Sequence, residues 1–453
     1  MNQEQKPQLT VSGYRGIWGD TLTEEVAKKY ACAYLSFIVS ETGKKNPTII
    51  LARDGRESGP ILLDTVKNEL VTHGARVIDT GLTATPIALF LVKEEKTDGA
   101  VVVTASHNPI EYNGLKFVSM SGTFTTKTEV EKIKAFFERN DLAPTGGGTA
   151  IDGTSLYKKH TETILKNIDV ELVRSKKFKI ALDPINSVGC IATPELLSFF
   201  DAEVSVINGE PNGKFAHEPE PLPKNLSGLA ELVKEKKCDV GFAQDPDGDR
   251  LVICDENGVI PSEEVMLALC VKAVMQKNPG TVVINLSTSN MSEDIVRAFG
   301  RGVLRSPVGE ANVVERMMTA DAIVGGEGGG GIIWPTANMA RDSFVGIALI
   351  LELIAKEGKP ISVLISELPK YFMQKEKMEF NGSLPDFYAA IKIKLGGVEN
   401  NEDGLRLDFP DRSWVHIRPS NTEPIIRIIA EATTKESLTK LIESVRIEIP
   451  RFL

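Results

Sequence analysis

No cysteine in this chain has a partner at Cys-x-x-Cys spacing, and no apolar run approaches the roughly 20 residues that a membrane span requires. The five cysteines, Cys32, Cys190, Cys238, Cys254 and Cys270, fall singly inside apolar segments. That pattern excludes a disulfide framework and a cysteine-rich zinc module, and it reads the thiols as small core residues. The opening Met1-Asn-Gln-Glu-Gln-Lys-Pro7 has no apolar signal region, so the expected location is cytoplasmic, away from the membrane. A surplus of positive charge is missing too: 52 Lys and Arg against 62 Asp and Glu leave a net charge of −10. The electrostatic case for a nucleic-acid partner or an anionic membrane therefore disappears. Any phosphate the protein binds must be drawn by local groups, above all arginines beside glycine-rich or Ser/Thr-rich loops.

What is present is length and alternation. At 453 residues the chain is too long for one hydrophobic core and should divide into three or four domains. One order of elements recurs about three times without obvious sequence identity. The first copy has strand Thr48-Ile-Ile-Leu-Ala52, a helix closed by Gly74, strand Ala75-Arg-Val-Ile-Asp79, a helix opened near Pro86, and the apolar run Gly99-Ala-Val-Val-Val103. The second runs from Phe178-Lys-Ile-Ala-Leu182 to Cys238-Asp-Val-Gly-Phe242, with a helix expected from about Pro194. The third runs from Thr281-Val-Val-Ile284 to Ala322-Ile-Val324.

Strands alternating with helices predict mixed or parallel sheets covered on both faces, with ligand loops at strand ends. The last segment, from Gly404-Leu-Arg-Leu-Asp-Phe409 to a helix near Lys435, predicts a β-rich α+β unit. The fold class expected is α/β: three similar α/β/α domains over 1–153, 154–257 and 258–372, and an α+β domain over 373–453, around a central cleft. Tyr371 to Lys377 is expected to be a linker that lets the last unit move, and the polar stretch from about Asp141 to Thr154 the weaker join between the first two domains.

Each unit delivers a loop rich in chemistry. Thr104-Ala-Ser-His-Asn-Pro109 places Ser106 at a strand end as a candidate nucleophile. His107 is adjacent by sequence but suits positioning better than base catalysis, because neighbouring side chains diverge. Lys116, in Asn113-Gly-Leu-Lys-Phe117, returns toward the same loop and could move a proton on a sugar hydroxyl. Asp245-Pro-Asp-Gly-Asp-Arg250 alternates Asp245, Asp247 and Asp249, three carboxylates that repel unless a hard cation such as Mg2+ neutralises them. An EF-hand is the rival, since Glu256 falls at the twelfth loop position, but the sixth should be Gly and is Arg250. Gly326-Glu-Gly-Gly-Gly-Gly331 holds one reactive side chain, Glu327, among residues that permit close backbone approach. Arg418, Ser420, Asn421, Thr422 and Arg427 gather donors about a turn stiffened by Pro419 and Pro424, as a dianionic phosphate would need. Arg15, in the polar loop Ser12-Gly-Tyr-Arg-Gly16 before the first helix, could help clamp a phosphate.

In this order, and over nearly the whole chain, these loops resemble those of the α-D-phosphohexomutase family of phosphoglucomutases, phosphomannomutases and phosphoglucosamine mutases. The resemblance implies that Ser106 is a phosphoserine carrier and that Mg2+ is held by Asp245, Asp247, Asp249 and the phosphoserine. It implies a catalytic set of Ser106, Lys116, His107, Arg15 and Arg250. Gly309, Glu327, Gly328 and Gly329 would bind the sugar, and Arg418, Ser420, Asn421, Thr422 and Arg427 its phosphate. A hexose 1,6-bisphosphate would be both intermediate and activator, the substrate a small phosphosugar, and the enzyme a monomer or homodimer. Many bacterial relatives have Ser at the position of Gly329 and often His at that of Gly331. The all-glycine loop, with Arg341-Asp342 downstream and Ser306-Pro-Val-Gly-Glu-Ala-Asn312 upstream, looks more like that of archaeal-type phosphoglucosamine and phosphomannose mutases. The sugar therefore stays open among glucosamine, mannose and glucose phosphates, and the second general acid/base is unassigned. A silent sugar-phosphate-binding homologue and a phosphatase are the alternatives to a mutase.

Overall fold

The computed structural model describes residues 9–139, 146–419 and 425–452. Its strands form four sheets, met in turn along the chain. The first has the order Tyr14–Ile17, Tyr112–Val118, Gly99–Val103, Thr48–Arg53, Arg76–Leu82, Thr149–Asp152. Its centre is the wholly buried run Gly99–Val103, parallel to Thr48–Arg53 and antiparallel to Tyr112–Val118. A strand buried on both faces must be apolar throughout, as this one is. The second sheet runs Leu251–Asp255, Val240–Gln244, Lys179–Asp183, Glu203–Val206, and the third Val303–Ser306, Val282–Asn285, Val324–Glu327, Gly331–Trp334, Asn338–Arg341. All three mix parallel and antiparallel pairs, whereas the fourth is antiparallel: Phe372–Glu379, Ile425–Ala432, Trp414–Pro419, Leu405–Asp408, Val398–Asn400.

One continuous core joins the first three units, with Ile50, Leu182, Leu267 and Ile350 in the same buried cluster. Helix Ser343–Glu357 runs through it and is buried on all sides from Ser343 to Ala355, apolar there except for Ser343 and for Glu352, which is paired with Lys277. Asp342 caps that helix by accepting from the N–H groups of Phe344 (3.0 Å) and Val345 (3.1 Å), and its other oxygen meets His160 at 2.7 Å. Asp342 is thus a structural residue. The C-terminal unit has a separate core, including Phe387, Leu407, Ile428 and Val445.

Four expectations need correction. The presumed linker Tyr371 to Lys377 lies in strand Phe372–Glu379, paired along its whole length with Ile425–Ala432. It is an edge strand whose charged residues, Lys375, Glu376, Lys377 and Glu379, keep the edge soluble and hide the strand from a hydrophobicity reading. The polar join before Thr154 contains strand Thr149–Asp152, which extends the first sheet beside Arg76–Leu82. Arg15 lies in strand Tyr14–Ile17, opposite Gly114, and not in a loop. The helix expected from Pro194 begins at Gly189, with Pro194 inside it.

Candidate active site

Ser106 follows the buried central strand of the first sheet and is 1% exposed. Its φ of 52° lies in the left-handed region, uncommon for a residue with a side chain. The conformation is held from two sides. The Thr104 hydroxyl accepts from the Ser106 N–H at 2.8 Å and donates to Asp54 at 2.6 Å. Arg56, fully buried, donates to four carbonyls of this stretch: those of Ser106, Asn108 and Pro109 at 2.7 Å and of Tyr112 at 2.8 Å, with Asp54 as its counter-ion at 3.1 Å. Only a guanidinium offers that many donors in fixed directions. The Ser106 Oγ thereby lies 3.3 Å from both His107 Nδ1 and Asp245 Oδ2. Burial first, then the charges of Arg250 and Arg15, push the His107 imidazole down to about 2, so it is neutral at any working pH.

The acidic loop is the turn between strands Val240–Gln244 and Leu251–Asp255. Strands on both sides rule out an EF-hand, and Glu256 instead accepts from the Ser362 N–H at 3.1 Å. Nor is the loop a solvated turn: Asp245, Asp247 and Asp249 are 0%, 0% and 1% exposed, with one oxygen of each within 4.8 Å of the others. Asp247 Oδ2 accepts from Lys116 Nζ and from Thr85 Oγ1, both at 2.6 Å, and Asp249 Oδ2 accepts from Arg341 at 2.6 Å. The remaining oxygens, Asp247 Oδ1 and Asp249 Oδ1, are buried with no hydrogen-bond partner among the described residues. Burial, then the charges of Asp249 and Asp247, drive the Asp245 carboxyl well above its ordinary range. Burial opposes ionisation of Asp247 as well, but Lys116 and Thr85 hold it low. Orphaned carboxylate oxygens around a group that resists ionising fit a hard divalent cation, and an all-oxygen donor set suits Mg2+.

The glycine loop follows strand Val324–Glu327 and meets the acidic loop directly, with the Leu251 N–H donating to the Gly330 carbonyl at 2.9 Å. Both Glu327 oxygens are held: Oε1 accepts from Asn285 Nδ2 at 2.7 Å and from the Gly309 N–H at 2.8 Å, and Oε2 accepts from Arg341 at 3.1 Å. Gly309, at φ 116°, caps helix Glu310–Ala320. The Gly328 N–H donates to Thr288 at 3.1 Å, and a Cβ on Gly328 would fall 2.0 Å from Glu264 Oε1. A Cβ on Gly329 would meet only Arg250, at 3.9 Å.

Glu264 beneath this loop is 3% exposed, and burial raises its carboxyl to about 7. A raised carboxyl pKa means that the folded state keeps a proton the unfolded chain has lost. Its contribution is therefore full below about pH 4 and disappears as pH rises to about 7, costing up to roughly 3 kcal/mol over that window. Glu264→Gln should flatten the fall in urea midpoint between pH 5 and pH 8, and an unchanged slope would refute the assignment.

Arg418 ends strand Trp414–Pro419 opposite Arg427, and its guanidinium is 3.1 Å from Asp403. Asp403 also accepts from the Val308 N–H at 3.0 Å, which ties the end of the fourth sheet to the residue before Gly309. Ser420, Asn421 and Thr422 lie outside the described residues. Arg15 donates to Asn108 at 2.6 Å, and Arg250 approaches His107 at 3.5 Å. A chain of contacts thus runs from Ser106 through Asp245, Asp249, Arg341, Glu327 and Gly309 to Asp403 and Arg418.

Arg56, Asp54, Thr85, Asn285, Glu310 and Arg341 belong to this framework, and no role was expected of any of them. Apart from the neighbours Asp54 and Arg56, they come from different segments joined only by folding. The local signals were the run Ala52-Arg-Asp-Gly-Arg56, charged straight after a buried strand, and the family-like stretches around Glu310 and Arg341.

Four consecutive family descriptions match the chain. Phosphoglucomutase/phosphomannomutase alpha/beta/alpha domains I, II and III match residues 7–144, 158–258 and 262–372, and the C-terminal domain of the same family matches 374–448. The chain belongs to the phosphoglucomutase/phosphomannomutase family. It is 35% identical over 438 residues to a phosphoglucomutase/phosphomannomutase of Thermococcus kodakarensis, covering 95% of this chain and 96% of that one. To a phosphoglucosamine/phosphogalactosamine mutase of Sulfurisphaera tokodaii it is 31% identical, covering 96% and 97%. Among solved structures, a phosphoglucomutase/phosphomannomutase family protein of Burkholderia thailandensis superimposes with a TM-score of 0.85 at 26% identity, over 96% of this chain and 95% of that one. No helix among the described residues is long and apolar enough to cross a membrane.

Proposed function

We propose that this protein is a Mg2+-dependent phosphohexomutase that interconverts hexose or hexosamine 1-phosphates and 6-phosphates through a phosphoserine at Ser106. The observation that carries the reading is the buried Ser106 hydroxyl, 3.3 Å from Asp245, beside two carboxylates whose outward oxygens have no partner. Asp245, Asp247, Asp249 and the phosphoserine would hold the cation, whose chemistry is to offset the charge that builds on the transferring group.

The chain's own residues supply the rest. In the first half-reaction the bond between phosphorus and Ser106 Oγ breaks as a bond to a sugar hydroxyl oxygen forms, and the hydroxyl proton ends on the departing Ser106 Oγ. The Lys116 ammonium, which donates to Asp247 at 2.6 Å, would relay it by giving one proton to the serine oxygen and taking one from the sugar. Arg250 and Arg15 steady the phosphoryl oxygens, and neutral His107 positions the Ser106 side chain. Glu327 and the backbone of Gly309, Gly328 and Gly329 orient the sugar. Arg418, Ser420, Asn421, Thr422 and Arg427 grip the phosphate that is not reacting. The 1,6-bisphosphate then turns over in the cleft, and Ser106 takes back the other phosphoryl group.

Relatives of this chain carry names for glucosamine, galactosamine, mannose and glucose phosphates, and glucosamine and mannose phosphates are the substrates we favour. The test is a coupled assay with glucosamine, mannose and glucose 1-phosphates, each with Mg2+ and a trace of the 1,6-bisphosphate. Turnover of at least one, with kcat/KM ranking the sugars, upholds the reading, and turnover of none overturns it.

A further inference from the structure

Arg341 touches both the acidic loop and the glycine loop. Its guanidinium donates to Asp249 Oδ2 at 2.6 Å, to Glu327 Oε2 at 3.1 Å and to Glu310 Oε2 at 3.0 Å. Glu310 also accepts from the Arg341 backbone N–H at 3.0 Å, so the residue is fixed at its base and at its tip. The path of the side chain is paid for by Gly331, where a Cβ would fall 2.3 Å from Arg341 Cδ. Glycine at 331 and arginine at 341 are therefore one structural choice: a histidine or any other side chain at the end of the glycine loop would expel the arginine.

The consequence lies in which oxygens are left over. Lys116 and Thr85 occupy Asp247 Oδ2 and turn Oδ1 outward. Arg341 does the same for Asp249, occupying Oδ2 and leaving Oδ1 without a partner. On its other side it closes the set of donors that fixes Glu327, with Asn285 and the Gly309 N–H on the opposite oxygen. Replacing a partner that orients a metal ligand typically costs about 10- to 100-fold in metal affinity.

Resting on the functional reading above, we propose that Arg341 is a positioning residue that sets the Asp249 carboxylate for the cation and the Glu327 carboxylate for the sugar at once, in the space that Gly331 vacates. A guanidinium is needed because two acceptors in different directions must be met together. An ammonium would neutralise charge but could not serve both.

The test separates the two arms by direct binding on the full-length protein, with calorimetric titration of Mn2+ and, separately, of glucose 1,6-bisphosphate. Arg341→Gln should weaken both by about 10- to 100-fold, and Gly331→Ala should do the same by displacing the side chain. Arg341→Lys should recover most of the Mn2+ affinity and little of the bisphosphate affinity. Glu327→Gln should weaken the bisphosphate alone. Thermal unfolding of each variant identifies any that fails to fold, and the lysine variant then carries the comparison. Mn2+ affinity within about twofold of the parent in a folded Arg341→Gln overturns the proposal, as does loss of only one of the two affinities in that glutamine variant, or an Arg341→Lys that keeps the bisphosphate affinity of the parent. Because neither titration needs turnover, a parent protein that binds both ligands but interconverts no hexose phosphate refutes the functional reading and leaves this one standing.

Discussion

Ser106→Ala is expected to lower kcat/KM by roughly 10^4- to 10^6-fold, the range seen when an essential nucleophile is removed. The other hydroxyl described in this loop is not free to take over. The Thr104 hydroxyl is committed to Asp54 at 2.6 Å and to the Ser106 N–H. The loop itself should survive, because Arg56 and Thr104 bind backbone carbonyls and an N–H group, none of which depends on the Ser106 side chain. Thermal stability should therefore change little while activity vanishes. Intact mass of the parent protein should show a fraction carrying one phosphoryl group, and that fraction should be absent from the variant. A phosphoryl group that persisted in Ser106→Ala would place the carrier elsewhere.

Asp247→Asn should produce the next largest loss, about 10^3-fold or more in kcat/KM, because it removes a charge from the carboxylate cluster at unchanged volume. An acidic loop at a strand end would ordinarily lie outside the core and be expendable for stability, and this one is neither. Asp247 is fully buried and joins two units, its carbonyl accepting from the Thr85 N–H at 2.9 Å and its side chain from the Thr85 hydroxyl at 2.6 Å. It is also the nearest counter-charge of Lys116, which is 3% exposed and next meets Asp249 at 3.6 Å. Asp247→Ala would strand that ammonium and should cost about 3–5 kcal/mol of stability besides the activity. Asp247→Asn removes the same counter-charge but keeps the shape and an acceptor for Lys116 and Thr85, and should lose activity with a smaller, though still measurable, fall in melting temperature. Equal destabilisation by the two substitutions would show that charge, and not the loss of a hydrogen-bonding side chain, holds the joint together.

Much of the frame was legible because its signals are local. A run such as Gly99–Val103 can only be a fully buried strand, and loops such as Asp245 to Arg250 or Gly326 to Gly331 concentrate unusual residues over a few positions. Two edge strands were not legible. Phe372–Glu379 alternates charges where a buried strand would alternate apolar residues, and Tyr14–Ile17 is four residues long with a glycine inside it. The orienting side chains were the least visible. Arg341 acts on Asp249 across 92 positions and Arg56 on the Ser106 carbonyl across 50, distances over which no spacing rule applies. Gly331 illustrates the same limit from the other side. In the sequence it is one glycine among several, and only the 2.3 Å approach to Arg341 gives it a reason.

The central claim is that Ser106 hands its phosphoryl group to a sugar and not to water. It is tested most directly by labelling the phosphoserine, mixing the labelled protein with a stoichiometric amount of an unlabelled hexose 1-phosphate and Mg2+, and following the label through a single turnover. The account predicts that the label leaves Ser106 and appears first in a hexose 1,6-bisphosphate. Release of the label as inorganic phosphate at the rate it leaves the protein would contradict it.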